Sequence, residues 1–343
     1  MMTKRVLVAL SGGVDSSAAA VLLQRSGYVC DGATLRLHAG SDETDAQAAA
    51  EKLHMDFFVF DETAAFRRQV IDVFVAAYCA GLTPNPCLAC NRALKFGAFL
   101  DKALAKGYDY IATGHYARVV YNENTGLYEL HRAADPGKDQ TYVLYQLTQH
   151  QLSHLLLPCG DHDKPALRQL AENAGLLNAR KKDSQDICFI PDGDYVRFLE
   201  ESGVTLTPGS FVDKDGNVLG QHRGLPCYTT GQGKGLGIAL GKHVYVLSKN
   251  AADNTVTLGN NEDLFRSSLT ARAVHWISGS VPTGPVHCTA KTRYSQRECE
   301  AVAIPLSGGK MRVEFAQPQR AITAGQAVVL YDGDVVLGGG TIE

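Results

Sequence analysis

The sequence predicts an α/β domain, a parallel sheet covered by helices, followed by a small middle domain and a C-terminal barrel or sandwich that are mostly β. Three observations lead there. Strand-like and helix-like runs alternate over roughly the first 113 residues. Beyond about Thr205 the helical periodicity gives way to short alternating runs separated by Gly, Asp, Asn and Pro. A glycine-rich loop joins the first strand to the first helix. At 343 residues and 36.9 kDa the chain holds two or three domains of roughly 100–200 residues each. With 45% hydrophobic and 20% charged residues it buries ordinary cores, which excludes a disordered protein.

In chain order, Arg5 to Leu10 reads as a strand and Ser16 to Arg25 as a helix that stops at Gly27. Val29 to Leu37 is strand-like, Thr44 to Leu53 helical, and Phe57 to Phe60 a strand. Ala64 to Ala80 and Asn91 to Lys106 read as helices, and Tyr110 to Thr113 as a strand. A parallel sheet of this kind puts its ligand site at the carboxyl ends of the strands. In the second half the strand-like runs are His243 to Leu247, Thr255 to Leu258, Met311 to Phe315 and Ala327 to Tyr331. Pro208-Gly209 and the cluster Asn260 to Asp263 mark boundaries, giving units 1–204, 205–264 and 265–343. No apolar run approaches the roughly 18–20 residues of a membrane span. Met1 to Arg5 leads straight into a strand with no signal-peptide pattern, so the expected location is cytoplasmic, with no membrane partner.

The strongest chemical signal is Ser11-Gly12-Gly13-Val14-Asp15-Ser16-Ser17, set between the first strand and the first helix. Two glycines let the backbone bend round an anion, serine hydroxyls stand at the helix start, and the exposed N–H groups and the helix dipole favour phosphate. The spacing is neither that of a Walker A loop nor that of a dinucleotide fingerprint. It describes a pyrophosphate cradle.

The loop resembles that of the PP-loop ATP pyrophosphatases, which adenylate a carbonyl-type oxygen of a second substrate. Further blocks follow: Asn85-Pro86-Cys87-Leu88-Ala89-Cys90-Asn91, Ala112 to Arg118, Gly137-Lys138-Asp139-Gln140, Asp183 to Pro191, Tyr228 to Gly237, Pro318 to Ile322 and Tyr331 to Asp334. In this order they make the whole chain similar to the tRNA-specific 2-thiouridylases, the MnmA family. The resemblance implies a Rossmann-like PP-loop domain, a small central β-rich domain and a C-terminal β-barrel. It implies ATP and Mg2+ as cofactors, tRNA as partner, and a persulfide carrier protein or sulfide as sulfur donor. Ala9, Leu10, Ser11, Gly12, Gly13, Val14, Asp15, Ser16, Leu35 and Gly114 would then bind ATP. Asn85, Pro86, Cys87, His115, Lys138, Asp139, Gln140 and Gln326 would meet the target base and the tRNA.

By the same resemblance Cys90 is the first active cysteine and Cys188 the one that carries a persulfide. A thiolate is favoured near a helix N-terminus or cations, which suits Cys90 at the start of the Asn91 helix and Cys188 downstream of Arg180-Lys181-Lys182. Cys30, Cys79, Cys159, Cys227, Cys288 and Cys299 read as buried small hydrophobes. The chain departs from the family at Cys87, where Asp is usual, at Gly233, where many relatives carry Arg, and at Leu35, where Met is frequent. Two outcomes follow from Cys87. Either Cys87, Cys90 and Cys188 ligate a 4Fe-4S cluster with one open iron, or Cys90 and Cys188 work by persulfide and disulfide exchange and Cys87 is a resolving or inert thiol.

The net charge of -3 excludes nucleic-acid binding by bulk charge, but its distribution is uneven. From Arg266 to Arg320 eight Lys or Arg stand against three acids, a local +5 that leaves the remainder at -8. There Arg293 and Tyr294 pair a phosphate-binding cation with a stackable ring. The expected activity is ATP-dependent tRNA uridine 2-sulfur transfer. The alternatives are a PP-loop ligase adenylating a small metabolite, or a silent tRNA-binding paralogue.

Overall fold

The computed structural model describes residues 3–176 and 187–343. Its first sheet has the order β3-β2-β1-β4-β7, all neighbours parallel, from β1 (Arg5–Ala9), β2 (Val29–Arg36), β3 (Phe57–Asp61), β4 (Tyr110–Ala112) and β7 (Leu155–Leu156). Successive strand residues point to opposite faces. Val6, Val8 and Leu10 therefore meet Ala20 and Leu23 of α1 (Val14–Arg25) and Ala46 and Ala50 of α2 (Thr44–Lys52). Leu7 faces the other way, onto Phe96, Phe99 and Leu100.

The helix expected over Ala64 to Ala80 is a continuous run of α3 (Thr63–Phe66), a π turn over Arg67–Ile71 and α4 (Asp72–Cys79). The helix expected to begin at Asn91 begins at Pro86. It runs through α5 (Pro86–Cys90), a π segment (Asn91–Ala98) and α6 (Phe99–Ala105). Asn85 caps it, its Oδ1 accepting the Cys87 N–H at 3.0 Å, and Pro86 needs no donor in the first turn.

Sequence periodicity assigned no element between Thr113 and Thr205. The structure places there the hairpin β5 (Arg118–Asn122) and β6 (Leu127–His131), β7, and the short helices α7 (Gln149–Ser153), α8 (Lys164–Asn173) and α9 (Tyr195–Glu201). The hairpin had a signal: alternating Val119 to Tyr121 before an Asn122 to Gly126 turn, in which Asn122 Oδ1 accepts the Asn124 N–H.

The middle unit is a four-stranded sheet, β10-β11-β8-β9, built from β8 (Gly209–Val212), β9 (Val218–His222), β10 (Tyr245–Asn250) and β11 (Thr255–Gly259). Phe211, Val246, Val256 and Leu258 fill its core. The last six strands are β12 (Phe265–Trp276), β13 (Val286–Lys291), β14 (Cys299–Leu306), β15 (Lys310–Arg320), β16 (Ala327–Asp332) and β17 (Val335–Ile342). They run β12-β15-β14-β13-β16-β17, and the β12–β17 pairing closes them into a barrel. Met311, Val313 and Phe315 point in while Arg312 and Glu314 point out.

The barrel is not a separate bead. Hairpin β5–β6 joins its sheet where His131 pairs with Val335. Tyr142, Tyr145 and Leu147 share one core with Ala327, Val329 and Tyr331, and the Tyr142 hydroxyl donates to the Ala327 carbonyl at 2.9 Å. Among the described residues no helix is long and apolar enough to cross a membrane.

Candidate active site

The chain leaves β1 toward β2 and β3 on one side and lays β4 and β7 on the other, so the topological switch point lies between β1 and β4. Ser11 to Gly13 follow β1 there, and Thr113-Gly114-His115 follow β4. Ser16 Oγ accepts the Ser11 N–H at 3.2 Å and donates to the Gly13 carbonyl at 3.0 Å, and Ser17 Oγ donates to the same carbonyl. These bonds tie the loop to the first turn of α1, whose leading N–H groups have no acceptor within the helix and carry the positive end of its dipole. Leu10 and Val14 are buried beneath the loop, Ala9 ends β1, and Leu35 lies half-buried on β2 opposite Phe60.

Gly114 lies flush against this turn. A Cβ there would stand 2.6 Å from Ser16 N and 2.7 Å from the Asp15 carbonyl carbon. Gly114→Ala is therefore expected to displace the loop. Overpacking of this kind costs about 1–3 kcal/mol, roughly ten- to hundredfold in nucleotide affinity, and titration with ATP checks it.

Asp15 does not face an open cradle as the sequence suggests. Both carboxylate oxygens accept from Lys164 Nζ, at 2.7 and 2.8 Å, and Oδ1 also accepts from the Tyr116 hydroxyl at 2.6 Å. Cys159 Sγ donates to the Asp15 carbonyl at 3.3 Å. Lys164, the first residue of α8, is only 7% exposed, so its ammonium needs this counter-charge. Lys164, Tyr116 and Cys159 are site residues that sequence reasoning missed. The Asp163 cap and Pro165 announce a helix start, but nothing local announces a partner 149 residues away.

His115 Nδ1 lies 2.7 Å from Thr113 Oγ1, and its ring packs 5.5 Å from Phe96. Burial first, and then the Lys95 charge, hold its pKa well below the usual imidazole range. His115 is therefore neutral at pH 7 and offers hydrogen bonds rather than charge.

Cys87 and Cys90 lie three residues apart on α5, one turn of the same face. Cys87, at the capped N-terminus, is exposed, whereas Cys90 is 7% exposed. Burial pushes the Cys90 thiol up to about 11; Lys95 opposes this, and Cys188 and Cys87 add to it. Cys188 is exposed, and desolvation by the surrounding protein raises its thiol too, opposed by Lys95. The expectation that Cys90 is activated by a helix start is thus corrected: the start belongs to Cys87, and burial keeps Cys90 protonated. Phe189, the neighbour of Cys188, packs edge-on to Phe66 and Phe74 and tilted to Phe198, and it lies against the cluster containing Cys90. Arg180, Lys181, Lys182 and the Asp183 to Asp186 block lie outside the described residues.

All nine cysteines are free thiols. Of the six read as buried hydrophobes, Cys30, Cys159 and Cys227 are buried and Cys288 and Cys299 half-buried, but Cys79, ending α4, is exposed. Cys87, Cys90 and Cys188 feel one another's charge, yet among the described residues no three Cys, His, Asp or Glu are gathered closely enough to hold a metal ion.

The residues assigned to tRNA divide. The Asp139 carboxylate is turned inward, accepting from the Ala133 N–H and from the Thr141 hydroxyl at 2.7 Å. Gln140 accepts the Tyr116 N–H at 2.9 Å and donates its own N–H to the Tyr116 carbonyl. Lys138 sits half-buried in the same turn. Tyr294 is 45% exposed, edge-on to Tyr142, with its hydroxyl donating to the Asp139 carbonyl. Arg293 does not reach outward. Its Nη2 donates to the Thr230 and Ala321 carbonyls at 2.9 and 3.0 Å and contacts the Thr323 hydroxyl, because two segments, one at Thr230 and one over 321–323, converge on it. Gln326 Nε2 donates to the Thr83 carbonyl at 2.7 Å, two residues before the Asn85 cap.

Three family models tile the chain: a tRNA methyl transferase HUP domain over 4–192, a tRNA methyl transferase PRC-barrel domain over 197–260 and an aminomethyltransferase beta-barrel domain over 266–342. The tRNA-specific 2-thiouridylase MnmA of Acetivibrio thermocellus is 47% identical over 359 residues, covering all of both chains. That of Moorella thermoacetica is 49% identical over 352 residues, covering 98% of this chain and 99% of its own, and that of Clostridium perfringens (strain ATCC 13124) is 46% identical over 358 residues, covering 100% and 99%. With a phosphate-type loop at the switch point and paired thiols on a capped helix, the chain belongs to the MnmA family of tRNA sulfurtransferases, the tRNA-specific 2-thiouridylases.

Proposed function

We propose that the protein uses ATP to replace the 2-carbonyl oxygen of the wobble uridine of tRNA by sulfur. Oxygen leaves a carbonyl poorly and AMP leaves well, so adenylation of that oxygen, with release of pyrophosphate, prepares the carbon for attack. The Ser11 to Ser16 loop holds the pyrophosphate, and Gly114 and the backbone near Leu35 line the nucleotide. The Ser11 and Ser16 hydroxyls, 3.3 Å apart, are hard oxygen donors of the kind that would hold Mg2+. When bound, that ion supplies charge neutralisation to the phosphates.

A persulfide on Cys188 then delivers its outer sulfur to the activated carbon. AMP departs with the oxygen, and Cys90 attacks the sulfur of Cys188, leaving a Cys90–Cys188 disulfide and a thiocarbonyl. The outer sulfur comes from a persulfide carrier protein: the Cys188 thiolate takes the carrier's sulfane sulfur and the carrier's own cysteine leaves as a thiolate, and no step passes through a cluster. The observation that carries this reading is the shared environment of the two halves of the site. One apolar cluster holds Leu35 of β2, Cys90 and Phe189, the neighbour of Cys188. The division into 1–204, 205–264 and 265–343 and a cytoplasmic location belong to the same reading.

ATP–pyrophosphate exchange in the presence and absence of a tRNA transcript bearing a wobble uridine tests it. Exchange that requires the transcript is expected. A small-metabolite ligase ignores tRNA, and a silent paralogue shows no exchange at all.

For the barrel, Arg266, Arg272 and Arg297 are exposed and have no ion pair among the described residues, whereas Arg312 pairs with Glu314 and Lys310 with Glu343. Arg297→Ala is expected to weaken tRNA binding and to lower the slope of log affinity against log salt by about one unit. A variant with the parent's affinity and slope would make this face merely solvated.

A further inference from the structure

The loop after β15 sits at a crossing of all three units of the fold. Ala321 opens it with φ at 55°, a left-handed conformation that alanine adopts at a cost, held by its N–H to the Leu264 carbonyl and by Arg293 on its own carbonyl. Arg293 also ties in Thr230 of the middle unit and Thr323 of the loop. Gly325, at φ 91°, lies so close to the first domain that a Cβ would stand 2.9 Å from Thr83 N. The Thr83 N–H donates to the Ala324 carbonyl at 3.0 Å, and the Thr83 carbonyl accepts from Gln326. Thr83 is thus gripped on both backbone groups, and Pro84 and the Asn85 cap follow directly.

A second observation marks the same path. Among the described residues three buried side-chain polar atoms have no hydrogen-bond partner: Arg293 Nε, Thr83 Oγ1 and Asn91 Oδ1. The first two lie at the ends of the relay, and the third belongs to the residue after Cys90. Orphaned buried groups are rare in folded proteins, and each calls for an explanation.

We propose that Arg293 and Gln326 are positioning residues for sulfur transfer: through the barrel loop 321–326 they hold Thr83, and with it the Asn85-capped helix that carries Cys87 and Cys90. The proposal rests on the thiolation reading above. It differs from a direct tRNA contact by either residue, because the polar atoms of both that bond here face this chain itself: backbone carbonyls and, for Arg293, the Thr323 hydroxyl as well. A helix displaced by about 1 Å costs up to roughly a hundredfold in a reaction that depends on alignment.

The test uses the full chain and an unmodified tRNA transcript. Gln326→Met keeps the length of the side chain and removes the donor. It is expected to bind the transcript within about twofold of the parent at the same salt slope, to thiolate it about tenfold more slowly at saturation, and to change the rate of Cys87 alkylation by iodoacetamide several-fold. Arg293→Lys, which keeps one charged donor, is expected to retain more of the thiolation rate than Arg293→Ala. If Arg293→Ala does not fold, Gln326→Met carries the test alone. Lost tRNA affinity with Cys87 alkylated at the parental rate overturns the proposal in favour of direct contact. Unchanged thiolation and alkylation overturn it as well. Should the parent fail to thiolate tRNA at all, the functional reading falls, and the alkylation comparison still decides whether the relay sets the helix.

Discussion

Asp15→Asn is expected to lower tRNA-dependent ATP–pyrophosphate exchange by about 10²–10³, the usual cost of one preorganised electrostatic contact in a reacting site, with tRNA affinity unchanged. The structure adds a complication and its remedy. Asp15 is a counter-charge of Lys164, so the amide takes one carboxylate away from a buried ammonium. Breaking a buried pair costs about 3–5 kcal/mol; the low end applies, since the Asp15 side chain keeps 30% of its exposure and water screens the pair. Thermal melting should show that loss. Asp15→Asn combined with Lys164→Met removes both charges of the pair and is expected to recover melting temperature relative to the single variant but not the exchange. Exchange restored in the double variant, or never lost in the single one, would make the pair purely structural.

The second large effect lies in the thiols. Cys90→Ser should lower thiolation sharply, and because Cys87 is a second thiol one turn away that acts on Cys188, the combination with Cys87→Ser should reduce it to background. In the resting protein the raised pKa sets a clear pH signature. A thiol at about 11 is roughly one part in 10³ thiolate at pH 8, and the fraction rises tenfold per pH unit until it levels near 11. Alkylation of Cys90, followed by mass spectrometry, should trace that rise. Cys87→Asp restores the residue usual in the family and is expected to keep most activity in an iron-free preparation. An iron-loaded protein that Cys87→Asp inactivates would overturn the thiol-only route and show that the three cysteines close round a cluster when it binds.

Much of this was legible in the chain. The loop Ser11 to Ser16 reads as an anion site because its function rests on backbone: glycines, a preceding strand and a following helix, all neighbours in sequence. The strands and helices around it were legible because a period of two or 3.6 is a local property. The start of the thiol helix was misplaced although its signal was present. Asn85-Pro86 is a cap and first-turn pair, and the apolar periodicity after Asn91 drew attention past it. Hairpin β5–β6 had its turn signal as well, but its destination, the barrel sheet, had none.

By itself, then, the sequence determined the α/β domain followed by β units, and the glycine-rich loop between the first strand and the first helix. Only the tertiary structure decided that Asp15 is paired with Lys164, that Cys90 is buried and Cys87 open, and that Arg293 grips backbone rather than phosphate. The difference is physical. Capping, turns and amphipathic periodicity depend on residues within a few positions of one another. A pKa, an ion pair or the task of a guanidinium depends on what fills the surrounding space, which segments 60 to 150 residues away supply only once the chain has folded.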